Sequence, residues 1–197
     1  MPEPSTYRPR IAAVAWITGA VVYLGAEAAA AAAWEGYHYA NHVISDLGVP
    51  GRPLATLMNV AFGVQGAMFL LGAVLAQRRS ARWLTVFAAA NAIGNLLVAT
   101  VHAGAGPLHV VGAALAIVGG NAAAIVGAGL NGGRSYRISS RLLGAVGLIC
   151  TAALVAQVGI VPAAVWERAA VYPIFAWQLL AAGMLLLPAR REHAERT

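Results

Sequence analysis

Four of the five histidines fall in two short stretches: His38 and His42 in one, His102 and His109 in the other. If a helix that begins upstream runs on through the first stretch, His38, His42 and Asp46 stand at i, i+4 and i+8 on one face. A histidine pair at that spacing can hold one metal ion. His102 and His109 flank a turn containing Gly104 and Gly106, which can bring two imidazoles together. Three nitrogen ligands and an open water position make a catalytic zinc site, and bound zinc lowers the pKa of its water to about 7. His102, His109 and His42 are therefore the candidate metal ligands, with zinc as the candidate cofactor. Asp46 or Glu167 is the candidate general base, and Arg168 the candidate group for holding a phosphate or oxyanion. A plainer alternative stays open, in which interfacial histidines and tyrosines are amphipathic anchors.

The elements that must position these residues follow from composition. Of 197 residues, 60% are hydrophobic and 10% charged, and the mean hydropathy is +0.71. A soluble domain carries about 25% charged residues, too many to be matched here, whereas a lipid-facing surface needs none. A spanning helix takes roughly 20 mostly apolar residues. Six such runs account for nearly the whole chain, at about 11–33, 54–76, 83–101, 108–130, 142–161 and 171–188. The first run exceeds the apolar stretch of a signal peptide and reads as an uncleaved helix. The prediction is an all-α integral membrane protein, a single six-helix transmembrane domain followed by a polar tail at 189–197.

Arginine placement sets the orientation. Arg8 and Arg10, then Arg78, Arg79 and Arg82, then Arg134, Arg137 and Arg141, then Arg190, Arg191 and Arg196 share one side: eleven of the thirteen cationic residues, none of them lysine. Only Arg52 and Arg168 fall on the other. Loop arginines favour the cytoplasm, so both termini are expected there. The net charge of +6 is read as this topology signal rather than as a nucleic-acid surface. An alanine- and arginine-rich chain without lysine points to a bacterial plasma (inner) membrane. The single cysteine, Cys150, makes no intrachain disulfide and reads as a small buried residue.

On this topology the outer side gathers His38, His42, His102, His109, Asp46, Glu35 and Glu167, with Glu27 about two turns below. Ionisable groups at membrane depth usually face an interior cavity, so an outward-opening polar pocket is expected. Within the apolar runs Asn91, Asn95 and Asn121 are expected on its wall or in interhelical hydrogen bonds, as are Gln65 and Gln157. Asn91 and Asn95 lie one turn apart and lead toward His102. Tyr172 and Trp177 extend the set. Gly119, Ala123 and Gly127, with Ala90 and Gly94, predict close helix packing.

The string Ile44-Ser45-Asp46-Leu47-Gly48, followed by Pro50 and Pro53, resembles the family catalogued as domain of unknown function 998. So do His102, Gly106 and His109, and the stretch Glu167-Arg168 followed by Val171-Tyr172-Pro173 and Trp177. That family is similar to the DRAM-like autophagy-modulator membrane proteins, where an Ile-Ser-Asp element follows the first helix. The resemblance implies a six-helix bundle and lipid-related roles, with no established reaction. A more distant similarity links Ser45, Asp46, His102 and His109 to the serine, aspartate and zinc-binding histidines of hydrolases related to alkaline ceramidases.

Four readings follow. The first is a protein that binds or processes a lipid or other amphipathic ligand at the outer leaflet; its enzymatic form is a metal-dependent hydrolase or acyltransferase with Ser45, Asp46, Glu167 and Arg168 as working groups. The others are a small transporter or channel, a haem protein using His102, and a subunit that modulates a partner. Membrane lipids are the expected partners, nucleic acid is not, and the oligomeric state is left open.

Overall fold

The computed structural model describes residues 7–77, 81–130 and 133–187. The expected tail at 189–197, with His193, Arg190, Arg191 and Arg196, lies outside the described residues, as do Arg78 and Arg79. Six helices run α1 (Tyr7–Ala33), α2 (Ala55–Ala76), α3 (Trp83–Thr100), α4 (Pro107–Gly127), α5 (Arg134–Val155) and α6 (Ala163–Leu186), with a short 3-10 helix at Ile44–Gly48 between α1 and α2. All six are long and apolar enough to cross a membrane. Among the described residues there is no strand.

Each helix packs on the next in sequence, α6 closes back on α1, and α6 also touches α4. The polarity is inverted relative to a water-soluble protein. Val14, Val21, Leu96, Val110 and Ile149 are exposed around the outside, while Gln65, Asn121, Ser140 and Gln178 are buried inside. Such a surface would be costly in water and costs nothing against lipid tails. The chain is a multi-pass membrane protein.

Small residues set the closest helix contacts, as their spacing predicts. A methyl group built on Gly119 would sit 2.7 Å from the Asn91 backbone nitrogen and 2.8 Å from the Phe87 carbonyl oxygen, and one on Gly94 would strike the Ala116 backbone. The α3–α4 interface is therefore backbone against backbone, held by dispersion. Gly127 gives the same relief to the Trp177 ring.

Two helix boundaries depart from the hydropathy reading, and both matter for the site. The fifth helix was expected at 142–161 and occupies Arg134–Val155; the sixth was expected at 171–188 and occupies Ala163–Leu186. In α5 the first two turns carry the exposed Arg134, Arg137 and Arg141 on one face and the buried Tyr136 and Ser140 on the other. Long cationic side chains can reach interfacial water from such a turn, so the helix begins before its apolar run does. Gln157 then falls in an exposed turn after α5 rather than within a span. In α6, Pro162 fixes the entry, and Glu167 and Arg168 lie inside the helix rather than in a loop. A third correction concerns α1, which stops at Ala33. Gly36 takes a left-handed φ of +81°, a conformation that a helix cannot continue through. His38, His42 and Asp46 therefore do not share a helical face.

Candidate functional site

Arg168 organises the end of the bundle that carries the α1–α2 loop. It sits in the second turn of α6 and is 7% exposed. Its Nη1 donates to the carbonyl oxygens of Tyr39 (2.7 Å), His42 (2.8 Å) and Ala164 (3.3 Å). Its Nη2 donates to the Tyr37 hydroxyl, and its Nε lies 3.3 Å from Glu27 Oε1. Tyr172 donates to the same Glu27 oxygen at 3.0 Å. One guanidinium thus ties α1, α6 and the loop together. A planar fork with five fixed donors suits this task and an ammonium does not. Burial pushes the Tyr37 phenol up to about 12, against the pull of the neighbouring guanidinium. The phenol is neutral at ordinary pH and accepts from Arg168.

Glu167, the neighbouring residue, holds the 3-10 helix. Its Oε2 accepts from the Ile44 backbone N–H at 2.5 Å. Asp46 Oδ2 accepts from the Val43 N–H at 3.2 Å, so this carboxylate caps its own turn. Leu47 and Ile44 point into the bundle and are buried. Asn59 Nδ2 donates to the Gly48 carbonyl at 2.9 Å, and any side chain on Gly48 would collide with Asn59 Oδ1. Each letter of the Ile-Ser-Asp-Leu-Gly string therefore has a physical reason: anchor, lining group, cap, anchor, close approach. The chain then reverses through a turn with Pro50 and Gly51 at its centre. The Arg52 N–H donates to the Val49 carbonyl at 3.1 Å, and Gly51 takes φ +90°, the left-handed position that such a turn requires.

Beneath the 3-10 helix lies a pocket between α1, α2, α3, α4 and α6. Ser45, Glu167, Asn91, Asn95, Gln65 and Tyr23 give it polar atoms, and residues such as Phe62, Val98, Ile117, Val171 and Phe175 give it an apolar wall. It offers about 50 Å³ to the centres of water-sized groups.

The residues singled out from the sequence divide into groups. Ser45, Glu167, Asn91 and Asn95 come together on the pocket wall. Arg168 and Asp46 stand just above it, committed to holding the loop, and Arg168 is not available to an anion unless the loop is released. Tyr172 supports Glu27. Asn121 lies deeper, donating to the Ile117 and Ala170 carbonyls at 2.9 and 2.8 Å, and links α4 to α6 without lining the pocket. Trp177 likewise belongs to another part of the bundle, where its indole donates to Ser140 Oγ at 2.8 Å.

The expected metal ligands do not converge: among the described residues, no group of three or more His, Cys, Asp or Glu could hold a metal ion. His109 Nδ1 is 2.7 Å from the Val101 carbonyl. A carbonyl only accepts, so Nδ1 carries the proton and the ring closes the α3–α4 turn. His42 Nδ1 accepts from the His38 backbone N–H at 3.0 Å, and its ring stacks on Tyr37 with centroids 5.4 Å apart.

Sequence reasoning missed Tyr23, Asn59 and Gln178. Asn59 and Gln178 each interrupt an apolar run, the signal that did single out Asn91 and Asn95. Tyr23 carries no such mark, because tyrosine is ordinary in an apolar helix.

Comparison with known proteins gave no match among curated proteins and none among solved structures. A family model does match, over residues 17–184, which takes in the 3-10 helix, the Glu167–Arg168 pair and the whole pocket wall. The chain belongs to the family described as Protein of unknown function (DUF998).

Proposed function

We propose that this protein binds a small amphipathic ligand, a lipid or lipid-like molecule, in the pocket beneath the Ile44–Gly48 turn, at the outer leaflet of a bacterial plasma membrane. The observation that supports this reading is the division of the pocket wall. The polar residues Ser45, Glu167, Asn91 and Asn95 line a space whose other walls are Phe62, Val98, Ile117, Val171 and Phe175. A few placed polar groups in an otherwise apolar concavity are the usual form of a small-molecule site. The arginine distribution supports the outward orientation.

Binding, rather than metal-dependent hydrolysis, is the form of the reading that the geometry favours. His42 and His109 are committed to local hydrogen bonds, whereas the lining groups surround open space. The test is lipid analysis by mass spectrometry on protein purified from its membrane, compared with Ala113→Phe, which places a ring in the pocket. A species enriched on the wild type and reduced by about tenfold or more in the variant, a loss of 1.4 kcal/mol or more, supports the reading. Equal lipid profiles from two equally folded proteins contradict it.

A further inference from the structure

The hydrogen-bonding sense of the pocket wall limits what its occupant can be. Each lining amide has its N–H₂ side directed at a protein acceptor. Asn91 Nδ2 donates to the Ala116 carbonyl at 2.6 Å. Asn95 Nδ2 donates to the Asn91 carbonyl at 3.0 Å and to Asn91 Oδ1 at 3.2 Å. Gln178 Nε2 donates to the Trp16 carbonyl at 3.4 Å. That leaves Gln178 Oε1 to accept from Gln65 Nε2 at 2.7 Å. The chain of assignments begins at backbone carbonyls, which only accept, so none of these amides can be turned round without facing one acceptor with another.

Acceptors are what remain. Asn95 is 6% exposed, lines the pocket, and its Oδ1 accepts no hydrogen bond from the described residues. Glu167 lines the pocket with its carboxylate, and only its Oε2 is engaged, by the Ile44 N–H. Ser45 and Tyr23 contribute hydroxyls, which work in either sense. No cation lines the space. The charge count points the same way. Arg168 forms its ion pair with Glu27; Glu167 forms none among the described residues and feels the guanidinium only at longer range. A half-buried carboxylate without an ion-pair partner is costly, and a cationic ligand would supply one.

We propose that the pocket selects an amphiphile whose head presents N–H donors, a primary ammonium group, and discriminates against phosphate and other anionic heads. The ammonium would donate to Glu167, to Asn95 Oδ1 and to the Ser45 hydroxyl. With a cavity of about 50 Å³, the pocket takes the head and its first carbons only. This rests on the binding reading above, and the test separates the two.

The full chain in non-ionic detergent micelles is mixed with equal concentrations of dodecylamine, dodecanol and dodecyl phosphate, and the adducts are resolved by native mass spectrometry. The expected result is that the amine adduct exceeds the phosphate adduct by about tenfold or more. In Glu167→Gln, which keeps an acceptor for the Ile44 N–H, the amine adduct should fall to the level of the dodecanol adduct measured on the same variant. A thermal unfolding midpoint in micelles close to that of the wild type shows that the variant is folded. A phosphate adduct equal to the amine adduct, or an amine preference that survives in Glu167→Gln, overturns the inference and leaves the binding reading in place. Absence of all three adducts from the wild type overturns both.

Discussion

Arg168 is the residue on which the site depends. It is buried, it carries one arm of the only ion pair between Glu27 and a cation among the described residues, and it holds two loop carbonyls. Replacing it by leucine leaves Glu27 buried without a counter-charge, and removing one partner of a buried pair costs about 3–5 kcal/mol. Arg168→Leu is expected to lose that much in thermal or denaturant unfolding in micelles; a loss within about 0.5 kcal/mol, the range of an ordinary surface substitution, would contradict the arrangement. Gly48 is a second test. Gly48→Ala collides with Asn59 and should cost about 1–3 kcal/mol, as overpacking does. The additional change Asn59→Ala should recover part of that loss, and a double variant no better than Gly48→Ala would count against the contact. Tyr37 gives a pH dependence. Its folded value is about 12 against an ordinary 10.0, so above pH 10 the unfolded chain loses this proton first and stability falls as the pH rises toward 12. Unfolding measured across that range should fall less steeply in Tyr37→Phe than in the wild type. At this scale the sequence was partly legible. The Ser-Asp-Leu-Gly string and the Glu167-Arg168 pair stood out as residue types, but their roles did not. An aspartate that caps its own turn and one that acts as a base look alike until the Val43 N–H is placed beside the carboxylate. The histidines misled for the same reason, since spacing along the chain says nothing about which carbonyl a ring nitrogen meets.

Among the elements, the helices were legible to within a few residues wherever the apolar run coincides with the helix, as in α2 between Pro53 and Gln77, α3 between Arg82 and His102, and the start of α4 at Gly106-Pro107. They were not legible in α5 and α6, where polar residues belong to the helix. Hydropathy counts Arg134, Arg137 and Arg141 against a span, yet they ride on a helix whose opposite face is buried. It also counts Glu167 and Arg168 against one, yet their partners come from α1 and the loop. The α3–α4 contact carries the element-scale prediction. Gly119→Val would force a branched side chain against the backbone of Phe87 and Asn91. It should cost about 1–3 kcal/mol of overpacking in unfolding in micelles, whereas valine at Gly183, where nothing lies within 4 Å of an added methyl, should cost no more than the helix-propensity difference. Equal effects at the two positions would contradict backbone-to-backbone packing.

At the scale of the whole molecule, polarity decides both the class and the site. Apolar residues cover the outside and polar ones are sequestered inside, where they either cross-link helices or face the pocket. Composition carried this much of the architecture, because hydropathy along the chain is a one-dimensional property. A polar pocket with Asn91, Asn95, Asn121, Tyr172 and Trp177 was expected from residue types; that Asn91 and Asn95 line it with Tyr23 and Phe175, while Asn121, Tyr172 and Trp177 do not, required five helices in three dimensions. Glu167 and Arg168 dock the 37–46 loop over the pocket, and the proposed ligand head lies beneath it. The most direct measurement is a high-resolution cryo-electron density map of the full chain in lipid nanodiscs. The expected map has Arg168 against the Tyr39 and His42 carbonyls, with separate density between Glu167, Asn95 and Ser45. A map with the loop undocked from α6, or with the pocket collapsed and filled by its own side chains, would contradict it.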